Sequence, residues 1–153
     1  IGRSFITPNQ SQRQLLVKQK LNPIKDIVRG KKVAVVDDSI VRGTTSKHLV
    51  KLLREGGAKE VYFVSAAPPI RFPCIYGIDM SSKNELIASS KSIQEIGEFL
   101  KADAIIYQPL EDLQEIYNDL PCCYACFSGK YPTGVTLETL AEFEHEKECS
   151  NRK

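Results

Sequence analysis

The sequence has no tryptophan, one methionine and two histidines among its 153 residues, and aromatic residues make up only 8% of it. No apolar run approaches the ~20 residues a membrane helix needs, and the first residues lack the basic-then-apolar pattern of a secretory signal. Both absences argue against a membrane or exported protein, and a cytoplasmic one is expected. Cysteine is scarce and odd in number, with five residues at Cys74, Cys122, Cys123, Cys126 and Cys149, which argues against a disulfide framework. There is no internal repeat and no Walker-type G-x-x-x-x-G-K-[ST] loop. No nucleic-acid-binding motif is visible either, so nucleic acid is not an expected partner.

What is present suits one globular domain with a sizeable core: 42% of residues are hydrophobic and 26% charged. The net charge of +2 hides an uneven distribution. Residues 1–32 carry eight Lys/Arg against the single acid Asp26, whereas residues 111–153 carry nine acids against four bases. A basic amino-terminal segment suits nucleic acid, a membrane surface or a small polyanion such as a phosphorylated metabolite. The chain starts at Ile1, and "IGRSFI" reads like a strand entered partway, so a fragment of a longer polypeptide is expected.

The near-continuous apolar run "KVAVV" reads as a buried parallel strand, central in its sheet. Leu49, Val50, Leu52 and Leu53 then recur at helical spacing and stop at Gly56 and Gly57. A second apolar strand, "EVYFVSAAPP", completes a βαβ unit, which makes the class α/β. Downstream, Ser82 and Ser92 each precede a glutamate by three residues and predict two capping boxes. A further strand, "DAIIYQ", and a helix, "LEDLQEIYNDL", follow. The segment from Thr7 to Lys25 reads as a loop or loosely formed helix, and the acidic end from Val135 as peripheral.

The chemistry concentrates in "KKVAVVDDSIVRGTTSKHLV", Lys31 to Val50. Ligands of open parallel sheets bind beyond the carboxyl ends of the strands, where Asp37 and Asp38 fall. Gly43 permits close backbone approach and unusual dihedrals. Thr44, Thr45 and Ser46 add hydroxyl donors, and the following helix points its positive end at the same place. Acids a few residues from an anion nest suit a ligand with vicinal hydroxyls or bound Mg²⁺ at one end and a phosphomonoester at the other, as in a ribose 5-phosphate. The plainer alternative is that the two aspartates only end a strand and cap a helix.

"VVDDSIVRGTTS" resembles the phosphoribosyl-pyrophosphate (PRPP) binding motif of type I phosphoribosyltransferases. Together with "GRSFI", "SAAPPIRFPCIYGID", "ELIAS" and "CYACFSGKYP" it is similar to the carboxyl-terminal part of glutamine PRPP amidotransferases, from Gly2 to about Thr133. The resemblance implies a type I phosphoribosyltransferase-like parallel sheet with flanking helices over residues 1–120, of which 1–30 form a flexible basic loop region, and a cysteine-containing extension over 121–153. It implies an activity that makes 5-phosphoribosylamine and pyrophosphate from PRPP and glutamine-derived ammonia, the first step of purine synthesis. It also implies a homo-oligomer and purine nucleotide inhibitors. Asp37 and Asp38 would contact the ribose hydroxyls and help hold Mg²⁺, Arg42 to Ser46 would receive the 5-phosphate through backbone and hydroxyls, and Ser39 would be a further substrate-binding residue. Arg13, Lys18 and Lys20 would belong to a lid closing over PRPP. The glutaminase domain that supplies ammonia in such enzymes has no counterpart in this sequence, and the loop that grips pyrophosphate in this fold lies upstream of it, so the chain by itself should leave glutamine intact and bind PRPP poorly. A non-catalytic PRPP or nucleotide sensor and a nucleobase phosphoribosyltransferase are the rival readings.

Taken alone, "CYAC" is a C-x-x-C compatible with zinc, redox chemistry, an iron–sulfur cluster or inert burial. The resemblance implies that Cys74, Cys123 and Cys126 are three of the four thiolates of a 4Fe–4S cluster, the fourth lying upstream of Ile1. Cys122 and Cys149 fall outside that pattern.

Overall fold

The structure is a computed structural model that describes residues 25–76 and 82–136, with Thr139. The lid candidates Arg13, Lys18 and Lys20, together with Cys149, lie outside the described residues. A short helix α1 (Lys25–Val28) leads into strand β1 (Lys32–Asp37), helix α2 (Thr44–Glu55) and strand β2 (Glu60–Ser65). A turn of 3-10 helix (Lys83–Glu85) then precedes α3 (Ile87–Ser90), α4 (Ile93–Leu100), β3 (Ala104–Tyr107), α5 (Leu110–Ile116) and α6 (Ala125–Ser128). Among the described residues no helix is long and apolar enough to cross a membrane.

The three strands form one parallel sheet in the order β1-β2-β3. It is an α/β fold, as expected, with α2 and α4 on one face. Val50 and Leu53 of α2 and Ile96 and Leu100 of α4 pack with Val61 and Phe63 of the sheet into one buried core. Among the described residues β1 pairs on one side only, with β2, which lies between β1 and β3; a central place for β1 is an expectation that these three strands leave untested. Its burial alternates along the strand, and Val36 is 71% exposed. Four apolar residues in a row show that a strand can be covered on both faces; they do not say what covers the second one. Among the described residues, nothing does so at Val36 or at Ile106 of β3, which is also exposed.

Local signals fared unequally. Ser92 forms the full capping box with Glu95, each side chain satisfying the other residue's backbone N–H. Ser82 makes no side-chain cap bond, because the segment after it closes into a 3-10 turn and Glu85 turns to Arg42 instead. The α5 helix ends at Ile116, short of the "YNDL" assigned to it, and buries no residue. Without an apolar face held by the core, a short helix has little to keep its last turn wound.

The β1-α2-β2 unit is tied to β3 by Asp103. Its Oδ2 accepts from the Val61 N–H at 2.6 Å and from Arg54 Nη2 at 2.5 Å. The Val61 bond, then the Arg54 charge, hold the Asp103 carboxyl below its ordinary range against an opposing contribution from burial. A depressed folded-state pKa stabilises above the unfolded value and is lost as pH falls through the folded one. Asp103→Asn should therefore cost ~1 kcal/mol near neutrality, a charge-assisted contribution reduced by partial exposure. In urea unfolding, the gap from the parent should narrow as pH drops below about 4. A gap that persists in acid would remove the charge from this account.

Candidate functional site

Strand β1 carries Asp37 and Asp38 to the carboxyl edge of the sheet. Asp37, half-buried, still pairs in register with Ser65. Its Oδ1 accepts the N–H of Asp38 at 3.0 Å. Asp38 is exposed, and its Oδ1 accepts the hydroxyl of Ser39 at 3.2 Å. These contacts are local, and among the described residues no cation pairs with either carboxylate. Two carboxylates open to solvent at a strand end suit Mg²⁺, which commonly takes one or two protein acids and fills its shell with water and substrate oxygens. No group of three or more His, Cys, Asp or Glu suited to a single ion occurs among the described residues.

Beyond the acids the chain makes a tight turn. Ile40, only 1% exposed, pins it to the core; the sequence reading passed over this residue. Gly43 caps α2 in the left-handed region (φ 73°, ψ −5°). A Cβ there would lie 2.8 Å from Ile87 Cδ1 and 3.2 Å from Phe99 Cε1. The missing side chain of Gly43 therefore makes room for apolar groups beneath the turn rather than for a ligand above it.

Helix α2 opens without a side-chain cap and without an acid in its first turn. The N–H of Lys47 is the first to close a helical bond, to the Gly43 carbonyl at 2.8 Å. The N–H groups of Thr44, Thr45 and Ser46 precede it and have no helical acceptor, by the geometry of any helix start. Thr44 and Thr45 are exposed at this end, whereas Ser46 is 4% exposed. Thr44 and Thr45 therefore face the surface, and Ser46 is buried as a whole. The guanidinium of Arg42, on the rim, pairs with Glu85 Oε2 at 3.3 Å, a contact across 43 residues that no local pattern announces.

Tyr107 closes the same row of the sheet, in register with Ser65. Its hydroxyl is buried with no hydrogen-bond partner, and burial pushes the phenol up to about 12, with the Arg71 charge working against it. It stays protonated throughout the neutral range.

Residues 71–76 and 121–136 form a second, smaller assembly. The carbonyl of Cys126 accepts from the N–H groups of Arg71 and Phe72 at 2.9 and 3.0 Å. The Tyr131 hydroxyl donates to the Pro73 carbonyl at 2.6 Å. Ala125 and Tyr131 pack with Phe72, Ile75 and Val135. These contacts bring Cys74 toward the C-x-x-C: burial, then Cys74, and more weakly Cys123, push the Cys126 thiol above its ordinary range. Cys122 and Cys123 are exposed. A cavity of about 370 Å³ opens beside this assembly, lined by Leu110, Gln114, Tyr124 and Lys130 among others. None of the residues proposed from the sequence lines it.

No family model matches the chain. Curated proteins and solved structures do. The chain is 49% identical to the amidophosphoribosyltransferase of Methanocaldococcus jannaschii over 140 residues, covering 92% of this chain and 30% of that protein. It is 45% identical to the Saccharomyces cerevisiae amidophosphoribosyltransferase over 157 residues, covering 97% of this chain and 30% of that protein. The solved glutamine PRPP amidotransferase of B. subtilis, complexed with ADP and GMP, superposes with a TM-score of 0.66 at 43% identity, covering 91% of this chain and 33% of that one. The chain is similar to amidophosphoribosyltransferases along nearly its whole length. It spans about a third of the length of the relatives it matches, and it shares the fold of that part. The parallel sheet, the acidic strand end and the uncapped α2 are features of this shared region.

Proposed function

We propose that the chain is the phosphoribosyltransferase part of an amidophosphoribosyltransferase, which makes 5-phosphoribosylamine from PRPP and ammonia released from glutamine. The observation that carries this reading is the continuous stretch 37–46: exposed carboxylates at a strand end, then the bare N-terminus of a twelve-residue helix. Its similarity to enzymes bearing that name supports the reaction.

In this reaction the bond from the anomeric carbon to pyrophosphate breaks and pyrophosphate leaves with the electron pair. A carbon–nitrogen bond forms to ammonia, which gives up a proton. The transition state gathers positive charge on the sugar and negative charge on the leaving group. The N–H groups of Thr44 to Ser46, the Thr44 and Thr45 hydroxyls and the rim Arg42 hold the 5-phosphate and so fix the ribose. Asp37 and Asp38 accept from the ribose hydroxyls and hold Mg²⁺, whose chemistry when bound is to neutralise charge gathering on the pyrophosphate. Arg13, Lys18 and Lys20 are proposed to close over the substrate. Ammonia comes from a glutaminase domain outside this sequence.

Feedback by purine nucleotides is part of the proposal, because a nucleoside monophosphate presents the same 5-phosphate. The ADP and GMP in the B. subtilis structure support it. We also propose a homo-oligomer, supported by the apolar Val36 and Ile106 left exposed on the sheet, and a reducing, cytoplasmic setting, supported by the free thiols. A 4Fe–4S cluster on Cys74, Cys123 and Cys126 is proposed from the C-x-x-C and from the backbone bonds at Cys126 that join its segment to the one carrying Cys74. A buried thiol pushed further up by its neighbours ionises readily only beside a compensating cation, which a metal centre supplies. A cluster is several atoms across and spaces its thiolates more widely than a single ion does.

The direct test is calorimetric titration of the full-length protein. Ribose 5-phosphate should bind saturably, inorganic phosphate should displace it, and ribose alone should bind far more weakly. Equal binding of ribose and ribose 5-phosphate would overturn the phosphate assignment.

A further inference from the structure

The segment 85–87 grips the turn at residues 41–43 in three ways. Glu85 Oε2 meets Arg42 Nη2 at 3.3 Å. The Ile87 N–H donates to the Val41 carbonyl at 2.9 Å. The Ile87 side chain fills the space beside Gly43. The gripping segment is itself braced: the Ser89 hydroxyl reaches back to the carbonyls of Lys83 and Leu86, at 2.8 and 2.7 Å, and Leu86 is buried. The backbone on both sides of residue 42 is thus fixed from 85–87, and so is the Arg42 side chain. Both partners of the ion pair are about half exposed, where such pairs add little to stability. Its consequence is therefore sought in geometry.

We propose that Glu85 is a positioning residue for the phosphate turn, holding Arg42 so that the guanidinium and the N–H groups of Thr44 to Ser46 meet a phosphate at a fixed angle. This rests on the reading of residues 42–46 as a phosphate site. The sign of one substitution separates positioning from mere proximity. A carboxylate next to an anion site repels the anion, so removing a bystander Glu85 would tighten phosphate binding. Removing a Glu85 that holds the turn weakens it instead.

In the full-length protein, Glu85→Gln should raise the KM for PRPP roughly 3- to 10-fold, a fraction of the hundredfold that an ångström of misplacement can cost. The kcat should change little, because the 5-phosphate is bound alike in ground and transition states. Ribose 5-phosphate affinity, titrated directly, should fall in parallel. In an Arg42→Gln background Glu85→Gln should add no further loss, since Glu85 acts through that guanidinium. If the parent protein does not bind ribose 5-phosphate, the phosphate-site reading falls and the proposal falls with it. If the parent binds and Glu85→Gln binds equally well or more tightly, the proposal alone is overturned. A further loss of the same size in the Arg42→Gln background would also overturn it.

Discussion

Asp37→Asn combined with Asp38→Asn should reduce phosphoribosylamine formation in the full-length enzyme by roughly 10²- to 10³-fold or more, the scale on which a single preorganised electrostatic group acts. The fold should survive. Asp38 is exposed and Asp37 half-buried, and their hydrogen bonds reach only the Asp38 N–H and the Ser39 hydroxyl, which asparagine can also satisfy. A surface change of this kind costs about 0.5 kcal/mol or less. What asparagine cannot supply is negative charge for a metal and for developing positive charge on the sugar. The assay should use ammonia directly, so that glutamine hydrolysis plays no part in the rate, and glutamine hydrolysis should be measured separately and found largely intact. Rates like the parent's with ammonia would mean that the two aspartates merely end a strand.

The difference between what was legible in the sequence and what was not follows the range of the interactions. β1, α2 and β2 were readable because each is set locally, by an apolar run, a helical repeat and glycines that stop it, and together they bring the acids and the turn to one end of the sheet. The Ser92 box was readable for the same reason. Ser82 carries the same pattern and fails because its glutamate has a stronger use elsewhere, on Arg42. That contact, like the Asp103 bridge between Val61 and Arg54, joins residues more than forty positions apart, and a single sequence gives no distance between them. Which strands flank β1 was not legible, because hydrophobicity records what a strand tolerates and leaves its neighbours unstated. The left-handed backbone of Gly43 was legible from the turn, but the crowding of its missing side chain by Ile87 and Phe99 was not, since a glycine in the sequence does not say which neighbours surround it.

The cluster proposed for Cys74, Cys123 and Cys126 leads to the other large effect. Full-length protein purified without air should be brown, with broad absorption in the blue and with iron and sulfide in matching amounts, and Cys123→Ser should lose most of the colour. The structural consequence should appear first in residues 121–136. Among the described residues that stretch meets residues 71–76 through a small buried cluster, Ala125 and Tyr131 with three partly buried neighbours, through hydrogen bonds at Cys126, Tyr131 and Thr133, and through the Tyr76–Tyr131 ring contact. The main core behind β1 and β2 is far larger, and it makes no use of these thiols. A cluster spanning Cys74 and the C-x-x-C would add covalent bonds between two weakly joined segments, and metal-binding energy of that kind becomes folding energy. Loss of the cluster should therefore open the cysteine segment to proteolysis well before the stretch from Lys31 to Val50. Mass spectrometry of a brief digest, with Cys123→Ser beside the parent, measures that order. If the parent carries zinc or no metal, and Cys123→Ser alters neither colour nor the order of cleavage, the cysteines are structural thiols.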